Sequence, residues 1–149
     1  MPDPDTGFDR ARARAEVEAV NAAFYAAFEE ADLDAMRALW LDAPDTVCVH
    51  PGAMPVRGAG AVHRSWALVM AHTSYIQFFL TDVEVGLRAD VATLTCTENV
   101  LTGDERTGPD AFGGAKALAT QVFVRTPDGW RLWVRHAAPV LSDAGDDDG

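Results

Sequence analysis

The sequence predicts an α+β fold: a curved, mostly antiparallel β-sheet with three N-terminal-half helices packed on its concave side. Three observations carry this expectation. Helical spacing of apolar residues dominates before Tyr75, the period changes to two from there to Val140, and the links between the later runs are short enough for hairpins. At 149 residues the chain suits one domain with a sizeable core. Residues 8–141 are expected to form it, with a flexible stretch at 1–7 and a disordered acidic tail at 142–149, where Asp143, Asp146, Asp147 and Asp148 follow Leu141.

Thr6-x-x-Asp9 resembles a capping box opening a helix of roughly 22 residues, whose apolar stripe is Val17, Val20, Phe24, Phe28 and Ala31. Asp32 is placed to cap a second, short helix in which Leu33, Met36 and Trp40 share a face, and Pro44 stops it. The run Thr46-Val47-Cys48-Val49-His50 reads as a strand with Thr46, Cys48 and His50 on one face, ending in the Pro51-Gly52 turn. A third helix is expected over 61–72, with Val62, Trp66 and Val69 or Met70 facing inward. Four strands should follow, over 75–87, 90–101, 116–126 and 130–140. Arg88-Ala89 and Pro127-Asp128-Gly129 close the two hairpins, and the glycine-rich, charged link at 102–114 reads as a mobile lid or a loose hairpin tip. In the first of these strands Tyr75, Phe79, Val83, Val85 and Leu87 share one face, yet Ile76, Phe78 and Leu80 make the other apolar too. Cover on both sides is expected, a helix on one and a partner subunit on the other.

A net charge of -11 and a pI near 4.5 argue against nucleic acid and anionic membranes as partners. No apolar run approaches the ~20 residues that span a bilayer. The start of the chain lacks a basic segment followed by an apolar core, so no secretory leader is expected and the cytoplasm is the expected location. Cys48 and Cys96 lie in separate strands and read as buried thiols. Histidine and cysteine spacings match no zinc pattern, and both the dinucleotide fingerprint and the P-loop are missing, so neither metal nor cofactor is expected.

Three short helices cannot fill the concave side of such a sheet, so a pocket is expected between helices and sheet. His50, flanked in sequence by Trp40 and Trp66, should look into it, or else be satisfied by backbone at the strand end. Glu98 alternates with Leu94 and Cys96 and, if buried, needs a partner: His50, His136 or an arginine. His136 shares parity with Trp130, Leu132 and Val134 and is expected on an apolar face, whereas Arg131 and Arg135 should lie on a solvated or subunit-contact face. Trp40, Cys48, Trp66, Tyr75, Phe79 and His136 are the candidate ligand-lining residues, and His50 and Glu98 the candidate catalytic pair.

Several motifs in order carry a resemblance over nearly all of residues 8–141. They are Asp34-Ala35-Met36 with Leu39-Trp40, Cys48-Val49-His50-Pro51-Gly52, Gly58 through Ser65-Trp66 and Cys96-Thr97-Glu98-Asn99. Then come Ala119-Thr120-Gln121-Val122-Phe123 and Gly129-Trp130-Arg131-Leu132 leading to His136. The chain resembles the nuclear transport factor 2-like superfamily, within it the SnoaL-like and the calcium/calmodulin-dependent kinase association-domain-like proteins of bacteria. The resemblance implies a cone-shaped, cystatin-like fold, a homodimer through the outer sheet face and a pocket inside the cone. It implies no single activity, because the fold hosts isomerases, cyclases, dehydratases, hydrolases and binding modules. No aspartate stands where ketosteroid isomerases of the superfamily carry their base, and Glu98 is the nearest equivalent of the SnoaL-type aspartate.

Three functional readings result. In the first, a homodimeric pocket protein binds a small, largely apolar molecule. In the second, Glu98 as base and His50 as polarising group perform isomerisation, cyclisation or dehydration next to a carbonyl. In the third, the chain is an oligomerisation module.

Overall fold

The first helix begins where a carboxylate can satisfy its free N–H groups. In the computed structural model, which describes residues 9–103 and 113–141, Asp9 is itself the N-cap and accepts from the Arg12 N–H at 3.0 Å. The expected capping box is corrected accordingly, its Thr6 lying outside the described residues. Helix α1 (Arg10–Glu30) buries Val17 and Phe24 and half-buries Val20 and Phe28, while Ala31 is not part of the stripe: it ends the helix in the left-handed region at φ 54°. Asp32 caps α2 (Leu33–Leu39) as expected, accepting from the Ala35 N–H at 3.0 Å. Short strands β1 (Val47–Val49) and β2 (Val56–Arg57) precede α3 (Ala59–Ala71), which starts two residues earlier than its apolar pattern indicated because Gly58, at φ 92°, turns the chain directly into it.

Strands β3 (Tyr75–Leu87), β4 (Val91–Gly103), β5 (Gly113–Thr126) and β6 (Gly129–Pro139) form the long antiparallel part of a six-stranded sheet ordered β2-β1-β6-β5-β4-β3. Among the described strands β1 and β6 alone pair in parallel, with Cys48 opposite Arg135, and an isolated parallel bridge joins Trp40 to Leu132. Most of the link expected at 102–114, with its lid or hairpin tip, lies outside the described residues. Helix α1 crosses the sheet beside edge strand β3, and Glu29 accepts from the Phe78 backbone N–H at 2.8 Å, blunting an edge that could otherwise template pairing. The interior is an aromatic cluster, with Phe24, Phe28 and Trp66 meeting edge to face at ring-centroid separations of 4.9 to 6.3 Å. Among the described residues no helix is long and apolar enough to cross a membrane.

Two β-bulges decide which side chains reach that interior. In β3 the register passes from Thr81 opposite Thr97 to Glu84 opposite Thr95, so one extra residue is inserted and Asp82 takes a positive φ of 56°. Before the bulge Phe78 and Leu80 pack on the core, and after it Val85 and Leu87 do. Tyr75, Phe79 and Val83 therefore face outward, 41%, 55% and 43% exposed, the reverse of the assignment that placed Tyr75 and Phe79 on the pocket wall. In β6 the register passes from Leu132 opposite Phe123 to Val134 opposite Val122, leaving Trp133 as the inserted residue. One inserted residue switches parity: Trp130 and Leu132 point inward before it, Arg135 and Ala137 after it. His136, expected on the inner apolar face, is exposed on the outer one, and Arg135, expected on a solvated or subunit-contact face, is 1% exposed.

Candidate functional site

Glu98 lies on the inner face of β4 with Ala92, Leu94 and Cys96, and like them it is buried. A buried carboxylate requires compensation. The β6 bulge supplies it, since Arg135 Nη1 donates to Glu98 Oε2 at 2.8 Å and to Gln121 Oε1 at 3.1 Å. Tyr25, from α1, donates its hydroxyl to the same Glu98 oxygen at 2.5 Å and lies 3.7 Å from Cys96 Sγ. Gln121 Nε2 in turn donates to Asn21 Oδ1 at 2.5 Å. A buried polar chain thus runs from Asn21 through Gln121, Arg135 and Glu98 to Tyr25, tying α1 to three neighbouring strands. The Arg135 guanidinium carbon also stands 4.8 Å from the Phe24 ring centroid.

The electrostatics of this chain follow from its burial. Loss of water works against the Arg135 cation, but the charge of Glu98 and its hydrogen bond, with smaller electrostatic contributions from Tyr25 and Cys48, outweigh that, and its proton affinity rises above the usual arginine value. Burial pushes the Tyr25 hydroxyl well above the ordinary tyrosine range, so it acts as a donor. Burial likewise raises the Cys48 thiol to about 12, which leaves it unreactive at neutral pH.

His50 lies at the end of β1, half-buried, with its ring edge-on to Trp66 at 4.8 Å. Its Nε2 is 2.9 Å from Ser65 Oγ, and Ser65 donates its own hydroxyl proton to the Val62 carbonyl at 2.7 Å. The Ser65 oxygen can therefore only accept from the ring, which fixes the proton on Nε2 and leaves Nδ1 as the acceptor. Burial, with the nearby Arg135 cation, lowers the His50 pKa to about 4, so the imidazole is neutral at pH 7. Cys48 Sγ sits 3.7 Å from its Nε2.

Of the residues singled out from sequence, Trp40, Cys48, His50 and Trp66 converge, with Trp40 and Trp66 at 6.5 Å between ring centroids. Glu98 belongs to the same interior but is engaged by Tyr25 and Arg135. Tyr75, Phe79 and His136 lie on the other side of the sheet. Beside that outer face an open groove of about 800 Å³ is lined by Phe79, Asn99, Leu101, Lys116, Val140 and Leu141. Sequence reasoning missed Tyr25, Asn21, Gln121, Arg135 and Ser65. The one available signal was Glu98 itself, which called for His50, His136 or an arginine as its partner; the partner is an arginine, Arg135. Among the described residues no group of three or more histidine, cysteine or acidic side chains is placed to hold a metal ion.

The SnoaL-like domain model matches residues 17–142. No curated protein matches the sequence. A putative dehydratase from the nuclear transport factor 2-like family of Streptomyces avermitilis is 46% identical, over 89% of this chain and 99% of its own, with a TM-score of 0.81. A putative calcium/calmodulin-dependent protein kinase type II association domain from Thiobacillus denitrificans is 35% identical, over 83% and 94% of the two chains, with a TM-score of 0.73. A nuclear transport factor 2-like superfamily protein from Salmonella enterica, at 17% identity, 95% and 99% coverage and a TM-score of 0.80, shares the fold. The chain belongs to the SnoaL-like domain family, with the cystatin-like α+β fold of nuclear transport factor 2-like proteins.

Proposed function

We propose that the protein binds a small, largely apolar molecule in the aromatic cluster beside His50. The observation that carries this reading is the His50 ring: half-buried, uncharged at neutral pH and fixed by Ser65, against the wall of Trp66. Aromatic walls supply most of the affinity in such a site, and one oriented polar group fixes the pose. The working unit is a homodimer joined through the outer sheet face, supported by the exposure there of Phe79 at 55% and Leu118 at 56%. Free thiols at Cys48 and Cys96 suit a cytoplasmic setting. Ethylbenzene titrated into labelled protein should shift backbone amides of β1 and α3. Shifts confined to the strands carrying Phe79 and Leu118 would remove the site from the interior.

A second reading is favoured by the 46% identical relative, which is described as a putative dehydratase. In this reading His50 Nδ1 takes the proton from a carbon next to a carbonyl, and the resulting imidazolium returns it to the departing hydroxyl, so that water leaves and the ring is restored. Glu98 serves as the anchor of Arg135 and Tyr25 rather than as the base. Turnover lost in His50→Gln with probe binding retained is the expected result; turnover retained in that variant would sink the reading.

A further inference from the structure

Among the described residues four buried side-chain nitrogens have no hydrogen-bond partner, and two of them, Trp66 Nε1 and Arg135 Nε, belong to side chains packed around Phe24 next to the His50 cluster. Trp66 is 0% exposed and Arg135 1%. Their polar neighbours are matched, Ser65 with Val62 and His50, Glu98 with Tyr25 and Arg135, Gln121 with Asn21 and Arg135. Leaving a buried donor unmatched is costly, and folded proteins do it seldom. Both orphaned side chains pack against the Phe24 ring. The Trp66 ring is 4.8 Å from that of His50 and 5.4 Å from that of Phe24, and the Arg135 guanidinium carbon is 4.8 Å from the Phe24 ring. Cys48, which pairs with Arg135 across β1 and β6, reaches within 3.7 Å of His50 Nε2.

Building on the ligand-binding reading of the His50 site, we infer that the Trp66 Nε1–H and Arg135 Nε–H groups receive a neutral carbonyl oxygen of the bound molecule. A carbonyl has two lone pairs and no proton to place, which matches two donors. A carboxylate is disfavoured. The Arg135 charge is already balanced by Glu98 at 2.8 Å, and the imidazole that donates to Ser65 is neutral, so the shell holds no surplus positive charge for an anion. The rest of the ligand is an aryl or alicyclic body that stacks on or displaces Phe28 and Phe78. Both rings are half-buried, 4.9 Å apart, with Phe28 itself 4.9 Å from Trp66.

The test titrates the ¹⁵N-labelled 149-residue chain with acetophenone, ethylbenzene and benzoate, three probes of similar shape that differ in their oxygen. Acetophenone should bind about tenfold tighter than either of the others, the factor two matched hydrogen bonds of about threefold each supply. It alone should move the Trp66 indole N–H signal downfield, that signal being the one of four tryptophan indoles lost in Trp66→Phe. In Trp66→Phe both neutral probes should weaken with the smaller aromatic wall, but acetophenone by about threefold more than ethylbenzene, so that the ketone's advantage falls to about threefold, the share left to Arg135. If the variant does not fold, assigning the indole through its proton contacts to His50 keeps the experiment decisive. Equal binding of acetophenone and ethylbenzene, tightest binding of benzoate, or an equal loss for both neutral probes in Trp66→Phe overturns the carbonyl assignment and leaves the pocket standing. No shift in β1 or α3 with any probe overturns the pocket and the carbonyl assignment together.

Discussion

Replacing Glu98 by glutamine removes one charge from a pair whose two side chains are each 2% exposed, while keeping the shape of the side chain. Arg135 then remains in the interior as a cation without a counter-charge, and breaking such a buried pair from one side costs about 3–5 kcal/mol. Over 149 residues the unfolding entropy is about 0.3 kcal/mol per degree, so the melting temperature should fall by roughly 10–16 °C. Calorimetry at pH 7 reads this directly. The double variant Glu98→Gln with Arg135→Met contains no unpaired charge and should recover at least half of the loss, because the cost in the single variant comes from the stranded cation. A Glu98→Gln melt within about 2 °C of the parent, or a double variant worse than the sum of its parts, would refute the claim that this pair holds β4 to β6.

Other outcomes follow from the same geometry. His50 should titrate by NMR near pH 4 rather than at the usual histidine value, and because the unfolded chain then binds more protons between about pH 6.5 and 4, stability should fall as pH drops through that window. His50→Gln should flatten that slope, and an unchanged slope would show the ring is not buried as described. Ala31→Gly relieves the left-handed cap and should stabilise by about 0.5–1 kcal/mol in urea unfolding; a loss of stability would contradict the cap geometry. For the homodimer proposed through the outer sheet face, Phe79→Glu together with Leu118→Glu should reduce the mass measured by light scattering to that of a single chain; a parent that is already monomeric would overturn the proposal, and a mass unaltered by the substitutions would move the contact elsewhere.

The elements were legible because each had a local cause: Asp32 as a cap, helical spacing through Phe24 and Phe28, and tight links at Arg88-Ala89 and Pro127-Asp128-Gly129. The convergence of Trp40, Cys48, His50 and Trp66 was legible for the same reason, as a short strand between two helices leaves its inner face few places to point. Facing was not legible across the bulges. In β3 a trace existed, since the apolar residues move from even positions (Phe78, Leu80) to odd ones (Val85, Leu87), yet that shift reads equally well as a strand covered on both faces. In β6 the consecutive Leu132-Trp133-Val134 conceals the inserted residue, so simple alternation sends Arg135 outward and His136 inward. The error was consequential because Arg135 is the cation that Glu98 demands.

A crystal of the 149-residue chain soaked with acetophenone tests the central claim most directly. The probe should lie against His50 and Trp66, with its oxygen within about 3.2 Å of Trp66 Nε1. Density for it only in the groove by Phe79 and Lys116, with the His50 cluster unchanged, would contradict the account.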